Sequence, residues 1–130
     1  MMPPRFPVTS DQIDIVVADF YARVRSDAVL GPIFAAHVTD WTAHEGRIAA
    51  FWRNAILYDR GYEGSPMMAH RRAGDVRPDH FPRWLALFET ALHARLPVEV
   101  AAAWSALAHR IGAGLRMGVA DRADGPPSLR

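Results

Sequence analysis

Apolar side chains recur every three or four residues along most of this chain, the spacing of amphipathic helices rather than the alternation of strands. Thr9 and Ser10 stand where a helix start would be capped. Ile13, Val16, Val17, Phe20, Tyr21 and Val24 then follow the i, i+3, i+4, i+7, i+8, i+11 positions of one face, so Tyr21 falls on the buried stripe. Gly31 is expected to break this first helix, and Pro32 suits the first position of a short second one that aims Phe34 inward at a bend. Thr42-Ala43-His44-Glu45 reads as a capping box opening a third helix. That helix carries Trp41, His44, Ile48, Phe51, Trp52 and Ala55 on one face, with Arg47, Arg53 and Asn54 turned away or sideways.

Residues 58–64 have two glycines and no period, which predicts a loop. Ser65-Pro66 supplies an N-cap and a first-position Pro for a helix that reaches only about Arg72 before Gly74 and Pro78, leaving His70 near the end of a stub. Asp79 is expected to cap the next helix, whose stripe is Phe81, Trp84, Leu85, Phe88 and Leu92, with Pro82 tolerated in the first turn. After Pro97 a last helix sets Val100, Trp104, Leu107, Ala108, Ile111 and Leu115 on one side; Gly112 and Gly114 weaken it and Gly118 is placed to end it. The pattern predicts an all-α single domain over 1–130, with a folded core of about 9–119 and flexible ends at 1–8 and 120–130.

Composition narrows the function. A hydrophobic share of 50% in 130 residues covers one sizeable core, or a core built around a cofactor. A net charge of +1 and no run of five basic residues leave no electrostatic footprint for nucleic acid or an acidic membrane surface. Cys is absent, which excludes disulfides, thiolate metal sites and a cysteine nucleophile. All 15 basic residues are Arg, a bias that fits a bacterial genome rich in G and C. The N-terminus lacks the apolar stretch of about 7–15 residues of a secretory signal, and no run approaches the roughly 18 apolar residues of a membrane span. A cytoplasmic protein is the expectation.

Two histidines carry the candidate chemistry. His44 and His70 each sit on the apolar side of a predicted helix, a geometry that can sandwich a flat prosthetic group. At position 70, Nδ1–H could reach the carbonyl of Pro66 one turn back and leave Nε2 for a metal. A helix-capping histidine would look the same in isolation. His80 also opens a helix near Trp84, but beside Asp79 and before Pro82 it suits a solvated first-turn role. Tyr21 and Trp84 are hydrogen-bond donors on buried stripes, and each could equally serve only packing.

Taken in order, Phe20-Tyr21, Leu30-Gly31-Pro32-Ile33-Phe34, Trp41-x-x-His44, Phe51-Trp52, Gly64-x-Pro66-x-x-x-His70 and Phe81-x-x-Trp84-Leu85 resemble the pattern of group III truncated haemoglobins over residues 11–118. The double-Gly motifs typical of groups I and II are absent. The resemblance implies a shortened globin, a two-over-two helical sandwich around haem b, iron protoporphyrin IX. It also implies His70 as the proximal iron ligand, and Tyr21, His44 and Trp84 as the distal residues facing a diatomic gas. Phe20, Phe34, Ile48, Phe51, Trp52 and Phe88 are the implied pocket residues, and Arg47, Arg71 and Arg72 are candidates for the propionates.

What such a site does remains open between classes. One is reversible binding of oxygen, carbon monoxide or nitric oxide by a monomer. Another is a haem enzyme, paired with a reductase, for nitric oxide dioxygenation, nitrite reduction or peroxide chemistry. A third is a haem-free helical interaction module in which the same residues merely pack. A zinc hydrolase is disfavoured, because His44-Glu45 is followed by Ile48 where an H-E-x-x-H motif needs histidine.

Overall fold

The computed structural model describes residues 3–62 and 77–124. Within them lie five helices and no strand: α1 (Ser10–Ser26), α2 (Leu30–His37), α3 (Trp41–Leu57), α4 (His80–Arg95) and α5 (Val98–Asp124). The short helix expected at 65–72 falls outside the described residues. No helix among those described is long and apolar enough to cross a membrane.

The six stripe positions read from the α1 sequence are the six residues that α1 buries. Its start is a capping box, but the partner of Thr9 is Gln12: the Thr9 hydroxyl accepts from the Gln12 amide at 3.1 Å while the Gln12 side chain accepts from the Thr9 amide at 2.9 Å. Helix α1 packs against α3 on one side and α4 on another, and α4 packs against α5. The pairs α1–α3 and α4–α5 thus form the expected two-over-two sandwich.

Its centre is aromatic, with one ring from each long helix. Phe88 of α4 lies edge-on to Phe20 of α1 at 5.1 Å, is stacked on Trp52 of α3 at 5.3 Å and meets Trp104 of α5 at 5.6 Å. All four are almost completely buried. Rings at these separations add specific contact energy to the large apolar area they bury.

Four local expectations are corrected. Gly31 does not break α1; it lies inside α2, and a Cβ there would sit 3.0 Å from the Arg25 carbonyl oxygen and 3.2 Å from that of Val24. Its role is close approach of α2 to the end of α1. The residue that ends α1 is Asp27, whose carboxylate accepts from the Val29 and Leu30 amides at 3.1 and 2.9 Å and so starts α2. Asp40, rather than Thr42, caps α3, accepting from the Ala43 amide at 3.1 Å. Asp79 makes no side-chain cap; instead the Arg77 amide donates to His80 Nδ1 at 3.0 Å. Finally, α5 continues beyond Gly118 to Asp124.

The segment before α1 is also built in. Arg5 donates from its backbone amide to Ile56 O at 2.9 Å and from Nε to Ala55 O at 3.0 Å, and Phe6 and Val8 are buried against the core. Helix α3 stops at Tyr58, a left-handed residue with φ 62° and ψ 26° whose amide donates to Arg53 O. A bulky side chain seldom adopts that backbone, so the turn is held by its surroundings. The Asn54 side chain, donating to Asp59 O at 2.6 Å, is one such hold.

Candidate functional site

Tyr21 stands mid-stripe on α1, opposite the first turn of α3, where the Asp40 cap fixes the start of the helix and therefore the height of His44. The Tyr21 hydroxyl lies 3.2 Å from His44 Nε2, and the rings meet edge to face with centroids 5.0 Å apart. Phe34 from α2 and Trp41 from α3 complete the surround, at 5.8 and 6.0 Å from the Tyr21 ring. Tyr21 is only 2% exposed, and His44 is half-buried.

This environment shifts both titrations towards the neutral form. Burial, with the Glu45 charge nearby, pushes the Tyr21 hydroxyl well above its ordinary pKa, so it stays protonated and able to donate. Burial, with Arg47 on the next turn, pushes His44 below the usual imidazole value, so the ring is neutral near pH 7. A neutral His44 can either accept the Tyr21 proton or donate Nε2–H to the Tyr21 oxygen, depending on tautomer.

Trp84 is half-buried on α4, stacked on Phe88 at 5.1 Å and edge-on to Phe20 at 5.0 Å. Phe20 in turn meets Tyr21 at 4.9 Å, so Phe20 is the ring that joins Trp84 to the Tyr21–His44 pair. Ile48, one turn beyond His44, and Phe51 are half-buried and packed on the core. The expected pocket residues thus divide in two: Phe20, Trp52 and Phe88 are core, while Phe34, Ile48 and Phe51, like the distal candidate Trp84, keep part of their apolar surface outside it. Arg47 is exposed. His70, Arg71 and Arg72 lie outside the described residues.

Other contributors escaped the sequence reading. Tyr62 sets its ring edge-on to Phe51 at 5.3 Å. Arg25 lies over the Trp41 ring with Cζ 4.3 Å from its centroid and donates to Glu45 at 3.1 Å. Asp27 accepts from Arg83 Nε at 2.7 Å, tying the turn between α1 and α2 to the start of α4. Its carboxyl is held at about 2, first by Arg83 and then by the Leu30 and Val29 amides, which together outweigh the cost of burial. Only Asp27 had a local signal, an acidic residue shortly before an apolar helix.

A two-over-two helical sandwich with a buried tyrosine facing a half-buried histidine at the meeting of α1 and α3 defines the class. The family model for bacterial-like globins matches residues 9–110, and the chain belongs to that family. It is 31% identical over 90 residues to the group 3 truncated hemoglobin ctb of Campylobacter jejuni, an alignment spanning 66% of this chain and 71% of that one. The fold superposes on the crystal structure of a group III truncated hemoglobin from Campylobacter jejuni with a TM-score of 0.83 and 27% identity, covering 87% of this chain and 92% of the other. The group III resemblance drawn from the motifs is borne out.

Proposed function

We propose that this chain is a haem protein that binds oxygen and other diatomic gases, with His70 as the proximal ligand and Tyr21, His44 and Trp84 as the residues that meet the gas. The observation that carries the reading is the Tyr21–His44 contact: a buried hydroxyl, kept protonated, held 3.2 Å from a neutral imidazole inside an aromatic surround.

The residues fit such a group. Haem needs apolar contact surface and few, well-placed polar groups. Phe34, Ile48, Phe51 and Trp84 offer apolar surface not consumed by the core, and the donor set of Tyr hydroxyl, imidazole and indole N–H carries no net charge. When bound, haem supplies an iron centre with a coordination position for a diatomic molecule. His44, in the tautomer that donates to the Tyr21 oxygen, leaves the Tyr21 proton free to point at a ligand atom carrying partial negative charge. Trp84 can only donate, so it reinforces that preference. Ile48 adds branched apolar bulk next to His44 and limits the size of what enters.

The test is the absorption spectrum of the purified protein supplied with haem b. A Soret band that shifts with dithionite and carbon monoxide is expected, and His70→Ala should lose haem or bind it weakly, with partial rescue by imidazole. A colourless parent protein would overturn the proposal; normal ferrous and carbonyl spectra in His70→Ala, but not in His80→Ala, would overturn the ligand assignment.

A further inference from the structure

Helix α1 meets the first turn of α3 at two points one helical turn apart. At the inner point the Tyr21 hydroxyl faces His44 Nε2. At the outer point Arg25, four residues further along α1, sets its guanidinium over Trp41, with Cζ 4.3 Å from the ring centroid, while Nη2 donates to Glu45 Oε2 at 3.1 Å. Trp41 lies one turn before His44 and Glu45 is its neighbour, so one planar cation holds both flanks of the histidine. Arg25 is itself held: the Gly31 Cα lies so near the Arg25 carbonyl that an added Cβ would be 3.0 Å from it, and α2 therefore backs the end of α1.

We propose that Arg25 is a positioning residue for ligand entry. By gripping Trp41 and Glu45 together it keeps the first turn of α3, and with it the His44 ring, against the Tyr21 hydroxyl; releasing the grip lets His44 swing towards solvent. The entry half of this rests on the gas-binding reading above, whereas the grip itself does not. Arg25 and Glu45 side chains are 45% and 24% exposed, so solvent screens the ion pair and each contact alone is modest. Acting together they should change the ratio of inward to outward His44 by about 3- to 10-fold.

Two measurements decide it. In the purified protein, nuclear Overhauser effects between the Tyr21 and His44 rings report the closed arrangement directly; Arg25→Ala should weaken them, and Glu45→Gln, which keeps the contact with Trp41, should weaken them less. Carbon monoxide association after flash photolysis should speed up by about 3- to 10-fold in Arg25→Ala and show no further gain when Arg25→Ala is added to His44→Leu. Arg25→Lys keeps the charge without the planar fork and should fall between parent and Ala, which keeps the test usable if Arg25→Ala folds poorly. Unchanged ring-to-ring effects in both Arg25 variants, or the same acceleration in the His44→Leu background, would overturn the proposal. Should the protein take up no haem, the gas-binding reading falls while the ring-to-ring comparison still decides the grip.

Discussion

Two aromatic clusters share helix α1 and differ in their polar groups. The inner one, Phe20, Trp52, Phe88 and Trp104, draws one ring from each long helix; the Trp104 Nε1–H within it has no hydrogen-bond partner among the described residues. The outer one, Tyr21, Phe34, Trp41 and His44, is more loosely spaced, with centroids 5.0–6.5 Å apart, and it pairs a hydroxyl with an imidazole and borders a guanidinium and a carboxylate. Adjacent residues on one helix, Phe20 and Tyr21, therefore serve opposite ends: one closes a core that tolerates an unpaired N–H, the other begins a site in which its hydroxyl faces the His44 imidazole. Burial alone cannot tell them apart, since they are 1% and 2% exposed. Polar pairing can.

The largest effect expected from breaking this contrast lies in the inner cluster. Phe88→Ala removes the ring shared by three helices and should cost about 3–5 kcal/mol in urea unfolding. A loss below about 1 kcal/mol would mean that the neighbouring rings close over the gap and that Phe88 is not the hub.

Gly31→Ala comes next. A methyl group 3.0 Å from the Arg25 carbonyl must push α2 outward, at about 1–3 kcal/mol, and Phe34 moves with α2. The melting temperature should fall while the inner cluster, read by its tryptophan fluorescence, stays native-like. An unchanged melting temperature would place slack between α1 and α2 where the structure has contact.

These sites also show what could be read from the sequence. The α1 stripe was fully legible because an amphipathic helix writes its buried face into local spacing, and Thr9 as a cap was legible for the same local reason. Gly31 was misread because glycine that breaks a helix and glycine that lets two backbones approach are the same letter. Asp40 was passed over for Thr42, two residues away, since both are good caps and only the finished helix decides. Gly118 failed to stop α5 for the converse reason: a single glycine costs about 1 kcal/mol, less than the rest of a long helix supplies. Arg25 had no local signal at all, because its partners Trp41 and Glu45 come from another helix.

The smallest expected effect is on acid stability. The Asp27 carboxyl is lowered to about 2 in the folded chain, so its contribution is fully present above the ordinary carboxylate pKa and is lost as pH falls through about 2. Asp27→Asn should flatten the decline in stability between about pH 4 and pH 2, in urea titrations across that range. An equally steep decline in the variant would assign the acid sensitivity to other carboxylates, Asp19 between Arg23 and Arg95 being the first to examine.

The central claim is that the outer cluster is polar in order to hold a gas, and oxygen dissociation from Tyr21→Phe tests it most directly. The substitution deletes one hydroxyl and keeps the ring, so pocket volume barely changes. A buried hydrogen bond to a partly charged partner is worth about 1.5–3 kcal/mol, which predicts roughly 10- to 150-fold faster oxygen release by stopped flow, with carbon monoxide, the less polarised ligand, affected less. Tyr21→Phe combined with Trp84→Phe should release oxygen at least as fast. If neither variant releases oxygen faster than the parent, the Tyr21 hydroxyl does not retain the ligand and the account of the outer cluster is wrong.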